Sequence, residues 1–444
     1  MTLNGRLAQL KQDLGGRLAR SALARAIPGP VRRRQFLLLL AQQFTSLVGT
    51  YAISFASLAK VVDATGSGMD TAFTILSVVV PGLLFGLLGG VTVDRLSRRN
   101  MLIGTNVVRG LIALGAPLYL NMVPPAYLVV GILVINFLLS SVGQFNFPAE
   151  AALIPYLVTG EELLAANSIF NISYLSAIAL GSAVWGPLGV RLMGPDGTYI
   201  SGGVLLLASL IPLSLLTKDI PSHERAVRRS RYARLRHVAS VLADIREGIL
   251  FAVHSAPVSV AILALISQTA LALVMAAVFP VVLSKHFGIP VYNLPLYLAP
   301  AAAGAGIGLL VLLSRLGRRV ARAQFVMLGN LAICLGLLGF SVSVVVRTWG
   351  LWGFLGASPF LGAGFVMAYI SGKSVLQEVP PDYLRGRVIS LQLTLNNVMS
   401  LVPTILAGWT LDQTGPEAVF IIATLLFAAL AGICVLWLRR ARPA

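Results

Sequence analysis

Three charged residues stand where charge is costly or exposed to a helix end. Asp94 opens the turn Asp94-Arg95-Leu96-Ser97-Arg98-Arg99, one carboxylate among three guanidinium groups. Arg109 lies inside the long apolar run that follows, and Glu150 stands at the end of the next one. A charge near the middle of a bilayer costs about 2.5–3.5 kcal/mol on insertion scales, so Arg109 calls for a partner. Glu150 is the first candidate and Asp94 the second, and the three read together as a gating cluster. The 16 acidic residues and four histidines otherwise fall at the ends of apolar runs or between them. No carboxylate lies at the centre of a run, where a proton carrier would ordinarily be buried.

The elements that must hold these groups are membrane helices. Of the 444 residues 57% are hydrophobic and 11% charged, and runs of about 20 apolar residues recur along the chain, each long enough to cross a bilayer. Twelve are readable, at 35–60, 71–93, 101–120, 126–148, 166–192, 199–217, 256–284, 293–314, 323–346, 350–374, 388–410 and 417–438. The basic turn also recurs. Ser314-Arg315-Leu316-Gly317-Arg318-Arg319 follows the first copy by about 220 residues and again separates two apolar runs, but lacks the aspartate. The expected fold is all-α and integral to the membrane, with twelve transmembrane helices in two pseudo-symmetric six-helix bundles. The N-terminal bundle spans residues 35–217 and the C-terminal one 255–438.

A net charge of +18 raises the question of nucleic acid, and its distribution answers no. Residues 6–34, 95–99, 218–246, 315–322, 373–387 and 439–442 hold 29 of the 34 Lys and Arg. If the runs alternate in direction, all six groups lie on one side. The positive-inside rule makes that side the cytoplasm, with both termini there, where the charge also attracts anionic lipid headgroups; a bacterial-type inner (plasma) membrane is the expected location. Within residues 1–34, Leu3, Leu7, Leu10, Leu14 and Leu18 recur between basic residues, which predicts an amphipathic helix on the inner leaflet. Residues 218–254 read as a basic linker with a short surface helix over Val238–Ile249, and 439–444 as a cytoplasmic tail.

Other chemistries are excluded. Cys334 and Cys434 lie inside apolar runs and suggest neither a disulfide nor a metal site. Gly304-Ala305-Gly306-Ile307-Gly308 is interior to a run and so a packing motif, not a phosphate loop. No cofactor, metal or enzymatic activity is expected, and a monomer suffices.

The stretch Gly90-Val91-Thr92-Val93-Asp94-Arg95-Leu96-Ser97-Arg98-Arg99 resembles the signature loop of the major facilitator superfamily, with Ser97 in the place of a turn glycine. Phe147-Pro148-Ala149-Glu150 with Leu164-Ala165-Ala166-Asn167-Ser168, and Gly386-Arg387-Val388 after Val379-Pro380, are similar to the macrolide-efflux and enterobactin-exporter (drug antiporter) branch. In span 5, Gly186-Pro187 is similar to an exporter motif. The resemblance implies alternating access, with Gly82, Gly86 and Gly90 forming a smooth ridge on span 2 against span 11. Asp94 then lies near the start of span 11, where a helix dipole favours a carboxylate by about 0.3–2 kcal/mol. Arg95, Arg98 and Arg99 hold Asp94 or bind lipid phosphates.

Spans 1, 4, 7 and 10 line the cavity in that family. The candidate lining groups are Gln43, Asn136, Gln144, Asn171, Tyr174, Gln268, Tyr369, Asn396 and Asn397. Amides and phenols among apolar residues suit a large amphipathic solute. The resemblance thus implies a secondary exporter of a drug, siderophore or other metabolite, coupled to protons or another ion. A lipid or lysolipid translocator is the alternative on the same fold.

Overall fold

The computed structural model describes residues 29–93, 97–216, 247, 249–346 and 350–440. Among them there is no strand. That follows from the solvent: hydrocarbon offers no partner to a backbone N–H or C=O, and a helix satisfies both within one segment. Four helices open the chain: α1 (Arg34–Ala64), α2 (Gly68–Val93), α3 (Arg98–Met122) and α4 (Pro125–Leu157), the last interrupted at Gln144 and Phe145. The next apolar stretch, Gly160–Leu215, holds two crossings. Gly194 lies at φ +71°, left-handed backbone open to glycine, and Pro195 restarts the helix, so α5 (160–193) turns back directly into α6 (195–215). The second half repeats the plan with α7 (Ala256–His286), α8 (Val291–Leu313), α9 (Arg322–Val345), α10 (Gly350–Glu378), α11 (Asp382–Thr414) and α12 (Pro416–Arg440). The described residues therefore make twelve crossings.

Two kinds of contact hold the helices. In the first half a buried polar network ties them together. Asn106 of α3 accepts from Ser46 Oγ of α1 (3.1 Å) and from Asn146 Nδ2 of α4 (3.0 Å), and donates to Ser209 Oγ of α6 (2.9 Å). Nearer the other membrane face, Ser57 Oγ lies 2.8 Å from Asn136 Oδ1 and 2.6 Å from Tyr199 Oη, linking α1, α4 and α6. Backbones also touch through small residues in both halves, as where Gly49 of α1 meets Gly202 of α6. A Cβ on Gly364 of α10 would fall 2.5 Å from the Gly329 carbonyl oxygen of α9, and one on Gly362 would fall 1.8 Å from the Ala301 carbonyl oxygen of α8.

Contact between the halves is concentrated at one face. The largest apolar cluster joins Val61 and Val62 of α1 to Val278 and Val282 of α7, Val291 of α8 and Leu411 of α11. The clusters toward the basic loops stay within one half: Phe36, Leu102 and Leu153 on one side, Val258, Leu376 and Val388 on the other. α2 packs against α7 and the second part of α11, so the halves meet away from the basic loops.

Several expectations change on the structure. Span 4 continues to Leu157, which places Glu150 inside the helix and not at its end. Of the α2 glycines, Gly82 and Gly86 have no close contact with α11. A Cβ at Gly82 would approach Gln144 of α4 at 3.6 Å, and one at Gly86 would meet nothing within 4 Å. α2 meets α11 at Gly68 instead, against Gly408. Asp94 and Arg95, the amphipathic segment before residue 29, and the linker over 217–246 lie outside the described residues; Gly90 falls in α2, where its surroundings are not described.

Two substitutions test this packing. Gly364→Ala should lower the melting temperature in detergent, since overpacking a tight contact costs about 1–3 kcal/mol, whereas Gly86→Ala should leave it unchanged. Equal loss in both would restore the ridge to the α2–α11 interface. Asn106→Leu should also lower the melting temperature, because each buried polar group left unpaired costs about 1–3 kcal/mol; an unchanged value would remove Asn106 as the hub.

Candidate functional site

A cavity of about 470 Å³ lies within the first half, lined by α1 through α6. α1 supplies a stripe of hydroxyls at helical spacing, Ser46, Thr50 and Ser54, with Tyr51 beside it. The close fit of α5 on α1 sets this wall. A Cβ at Gly181 would lie 2.8 Å from Tyr51 Cβ and from the Val48 carbonyl oxygen, and one at Gly186 would lie 2.7 Å from Phe55 Cβ. Between these glycines, Gly181–Trp185 forms one wide turn of π-helix, a feature often found at functional sites. The exporter-like Gly186-Pro187 therefore packs α5 onto α1.

Arg109 and Glu150 both reach this cavity, 4% and 3% exposed. They are not paired with each other: among the described residues no ion pair within 4.0 Å joins them. The guanidinium donates to Thr50 Oγ1, while its Nε has no hydrogen-bond partner. Gly143 of α4 leaves room for it, since a Cβ there would stand 3.6 Å from the Arg109 Cζ. Glu150 Oε1 accepts from Gln42 Nε2 at 3.1 Å. Among the described residues Glu150 is the only carboxylate that is buried. Each charge in hydrocarbon would carry a desolvation cost of several kcal/mol. Facing one shared polar cavity, and held by neutral hydroxyl and amide groups, both remain open to a further partner.

The rest of the wall is amphipathic. Phe147 meets Tyr174 edge-on at 5.5 Å between ring centroids and Phe170 at 6.0 Å. Asn136, Ser140 and Gln144 add neutral polar groups from α4, and Gly86 lines the α2 side. Asn136 Nδ2 and Arg109 Nε are donors without an acceptor.

Of the nine cavity candidates named from sequence, Asn136, Gln144 and Tyr174 line this space. Asn171 is exposed and returns its amide to the Asn167 carbonyl (2.8 Å). Gln43 and Gln268 are wholly buried, with both side-chain polar atoms unbonded. Asn396 donates to Thr269 Oγ1 (3.0 Å), which joins α11 to α7, and Asn397 is exposed. Tyr369 stacks on Phe365 at 5.9 Å, with Lys373 over its ring and bonded to Gln392 Oε1 (2.9 Å). Sequence reading missed Thr50 and Tyr51. The recurrence of Ser46, Thr50 and Ser54 every four residues in an apolar helix was the available signal.

Arg98 and Arg99 of the first basic loop have local partners. Arg99 donates to the Leu213 and Ser214 carbonyls (2.8 and 3.0 Å), capping the end of α6, and Arg98 lies over the Tyr156 ring at 4.8 Å. Ser97 is the N-cap of α3 and accepts from the Asn100 N–H. A serine in the place of the turn glycine therefore starts the next helix.

The model of the Major Facilitator Superfamily matches residues 38–404. Macrolide efflux protein A of Streptococcus pyogenes is 24% identical over 418 residues, 90% of this chain and 95% of that protein. The multidrug efflux pump Tap of Mycolicibacterium fortuitum is 25% identical over 431 residues, 93% and 97% respectively. Among solved structures, a bacterial homologue of the iron transporter ferroportin in an inward-facing state superposes with a TM-score of 0.68 at 14% identity, covering 91% of this chain and 98% of that one. The nucleoside transporter NupG does so with a TM-score of 0.65 at 15% identity, over 91% and 98%. With twelve crossings in two related halves and a match through most of its length, the chain is a multi-pass membrane protein that belongs to the Major Facilitator Superfamily.

Proposed function

We propose that this protein is a secondary exporter of amphipathic small molecules, working by alternating access between its two halves. The observation that carries the reading is the first-half cavity. It presents a buried carboxylate and a buried guanidinium with no ion pair within 4.0 Å between them, beside a wall of Tyr51, Phe147 and Tyr174. About 470 Å³ suits a drug-sized solute or part of a larger one, and aromatic surface with few polar groups matches an amphipathic molecule. The relatives named as macrolide and multidrug efflux proteins support the direction of transport.

Glu150 is the proposed coupling group. It lies away from the centre of the membrane and shares its cavity with Arg109, so a proton or a cationic group of the cargo can alternate on one carboxylate. The basic loops are assigned to the cytoplasm of a bacterial inner membrane by the positive-inside rule. On that orientation the structure, joined at the opposite face, stands open toward the cytoplasm.

The test is movement of a fluorescent amphipathic dye in proteoliposomes under an imposed pH gradient, with wild type and Glu150→Gln side by side. Wild type should move the dye with the gradient, and the variant should lose at least about tenfold of that rate, the factor corresponding to about 1.4 kcal/mol. Dye movement indifferent to both the gradient and the substitution would overturn proton coupling through Glu150, and faster movement of a lysolipid than of the dye would replace the exporter with a lipid translocator.

A further inference from the structure

The face away from the basic loops is closed by a carboxylate that crosses from one half to the other. Asp412, in the last turn of α11, accepts hydrogen bonds from Ser67 Oγ (2.7 Å), the Gly68 N–H (2.6 Å) and the Met69 N–H (3.0 Å). These are the donors at the start of α2, which have no partner within their own helix. Ser67 also accepts from the Asp70 N–H (3.1 Å), so the capping serine of α2 is itself held by Asp412. One turn earlier on the same face of α11, Gly408 lies against Gly68. A Cβ on either would fall within 2.8 Å of the other's carbonyl oxygen. The capping carboxylate and the close approach depend on one position of α11 relative to α2.

We propose that Asp412 is a positioning residue of the transport cycle: it latches the outer side shut by capping α2 from the opposite half. The proposal rests on the alternating-access reading and the cytoplasmic assignment of the basic loops. The reason the contact must be conditional is geometric. α2 and α11 belong to different halves, so halves that part on this face pull the carboxylate off three donors at once and return them to water. Chain order supplies a counterpart at the other end of the same helix pair. α2 ends at Val93, directly before Asp94, and α11 starts at Asp382 after Pro381, which offers no side-chain cap. Each helix of the pair is thus followed or terminated by an aspartate at the end where the other begins. In this structure the cap made by Asp412 on α2 is formed.

Site-directed labelling tests the latch without any cargo. A single cysteine at Val78→Cys, which lines the cavity, is placed in a Cys334→Ser, Cys434→Ser background. It is then exposed to an impermeant maleimide in right-side-out and inverted membrane vesicles. Asp412→Ala should raise labelling from the outer face about tenfold relative to the parent and lower it from the cytoplasmic face. Ser67→Ala and Gly408→Ala should shift it the same way by less, and Asp94→Asn in the opposite sense. Unchanged labelling at both faces in folded, monodisperse Asp412→Ala would overturn the proposal, as would a shift in the same sense as Asp94→Asn. If Asp412→Ala does not reach the membrane, Ser67→Ala and Gly408→Ala decide on the same readout. Because no dye or gradient enters the assay, a protein that exports nothing can still show the latch, and one that exports can still lack it.

Discussion

Hydrocarbon gives a polar group no water, and the rest of this structure follows from how each half answers that constraint. The first half carries its polar groups inward and pairs them. Asn106 meets Ser46, Asn146 and Ser209 and so fixes four helices around one amide. That arrangement positions α1 and α3 so that Thr50 can hold Arg109. Both halves also bring helix backbones together at glycines, Gly49 and Gly202 in the first and Gly329, Gly362 and Gly364 in the second, where dispersion and shape add to hydrogen bonds.

The polar network bears on where Arg109 and Glu150 sit. A packed interface of small residues has no room for a solvated ion, whereas a network of hydroxyls and amides can border a cavity and offer partial solvation. Arg109 and Glu150 are both in the networked half, and neither needs the other as its immediate partner. A tight salt bridge would have removed both charges from use. Holding each by a neutral neighbour keeps a carboxylate and a guanidinium available in the same space. The packing of α5 on α1 through Gly181 and Gly186 closes that space with aromatic surface.

The halves themselves are joined asymmetrically along the membrane normal. Apolar packing crosses between them near Val62, Val282 and Leu411, beside the Asp412 contact with the start of α2. Toward the basic loops the apolar clusters are confined to one half each. The loop arginines contribute to the rigidity of their own half, Arg99 on the end of α6 and Arg98 on Tyr156. Basic residues that the distribution of charge assigns to topology thus also finish helices.

The sequence by itself determined the number of crossings, the duplication and the family, because apolar length and repeated turn chemistry are local properties of a chain in a membrane. It also singled out Arg109 and Glu150, since an ionised group in an apolar run is conspicuous wherever it points. What it could not decide was which polar groups face one another. Helix rotation and tilt are set by neighbours, so Gln268 and Asn171 carry the same composition signal as Asn136 and Tyr174 and end elsewhere. Span 4, read to residue 148, runs on to Leu157 because the helix breaks at Gln144 and Phe145 and resumes through Pro148. Only the tertiary structure brought Arg109 and Glu150 to one cavity, set Gly82 against Gln144 of α4, and brought Asp412 to a helix more than 340 residues away in the chain. These are relations between helices, and no local property of a sequence fixes them.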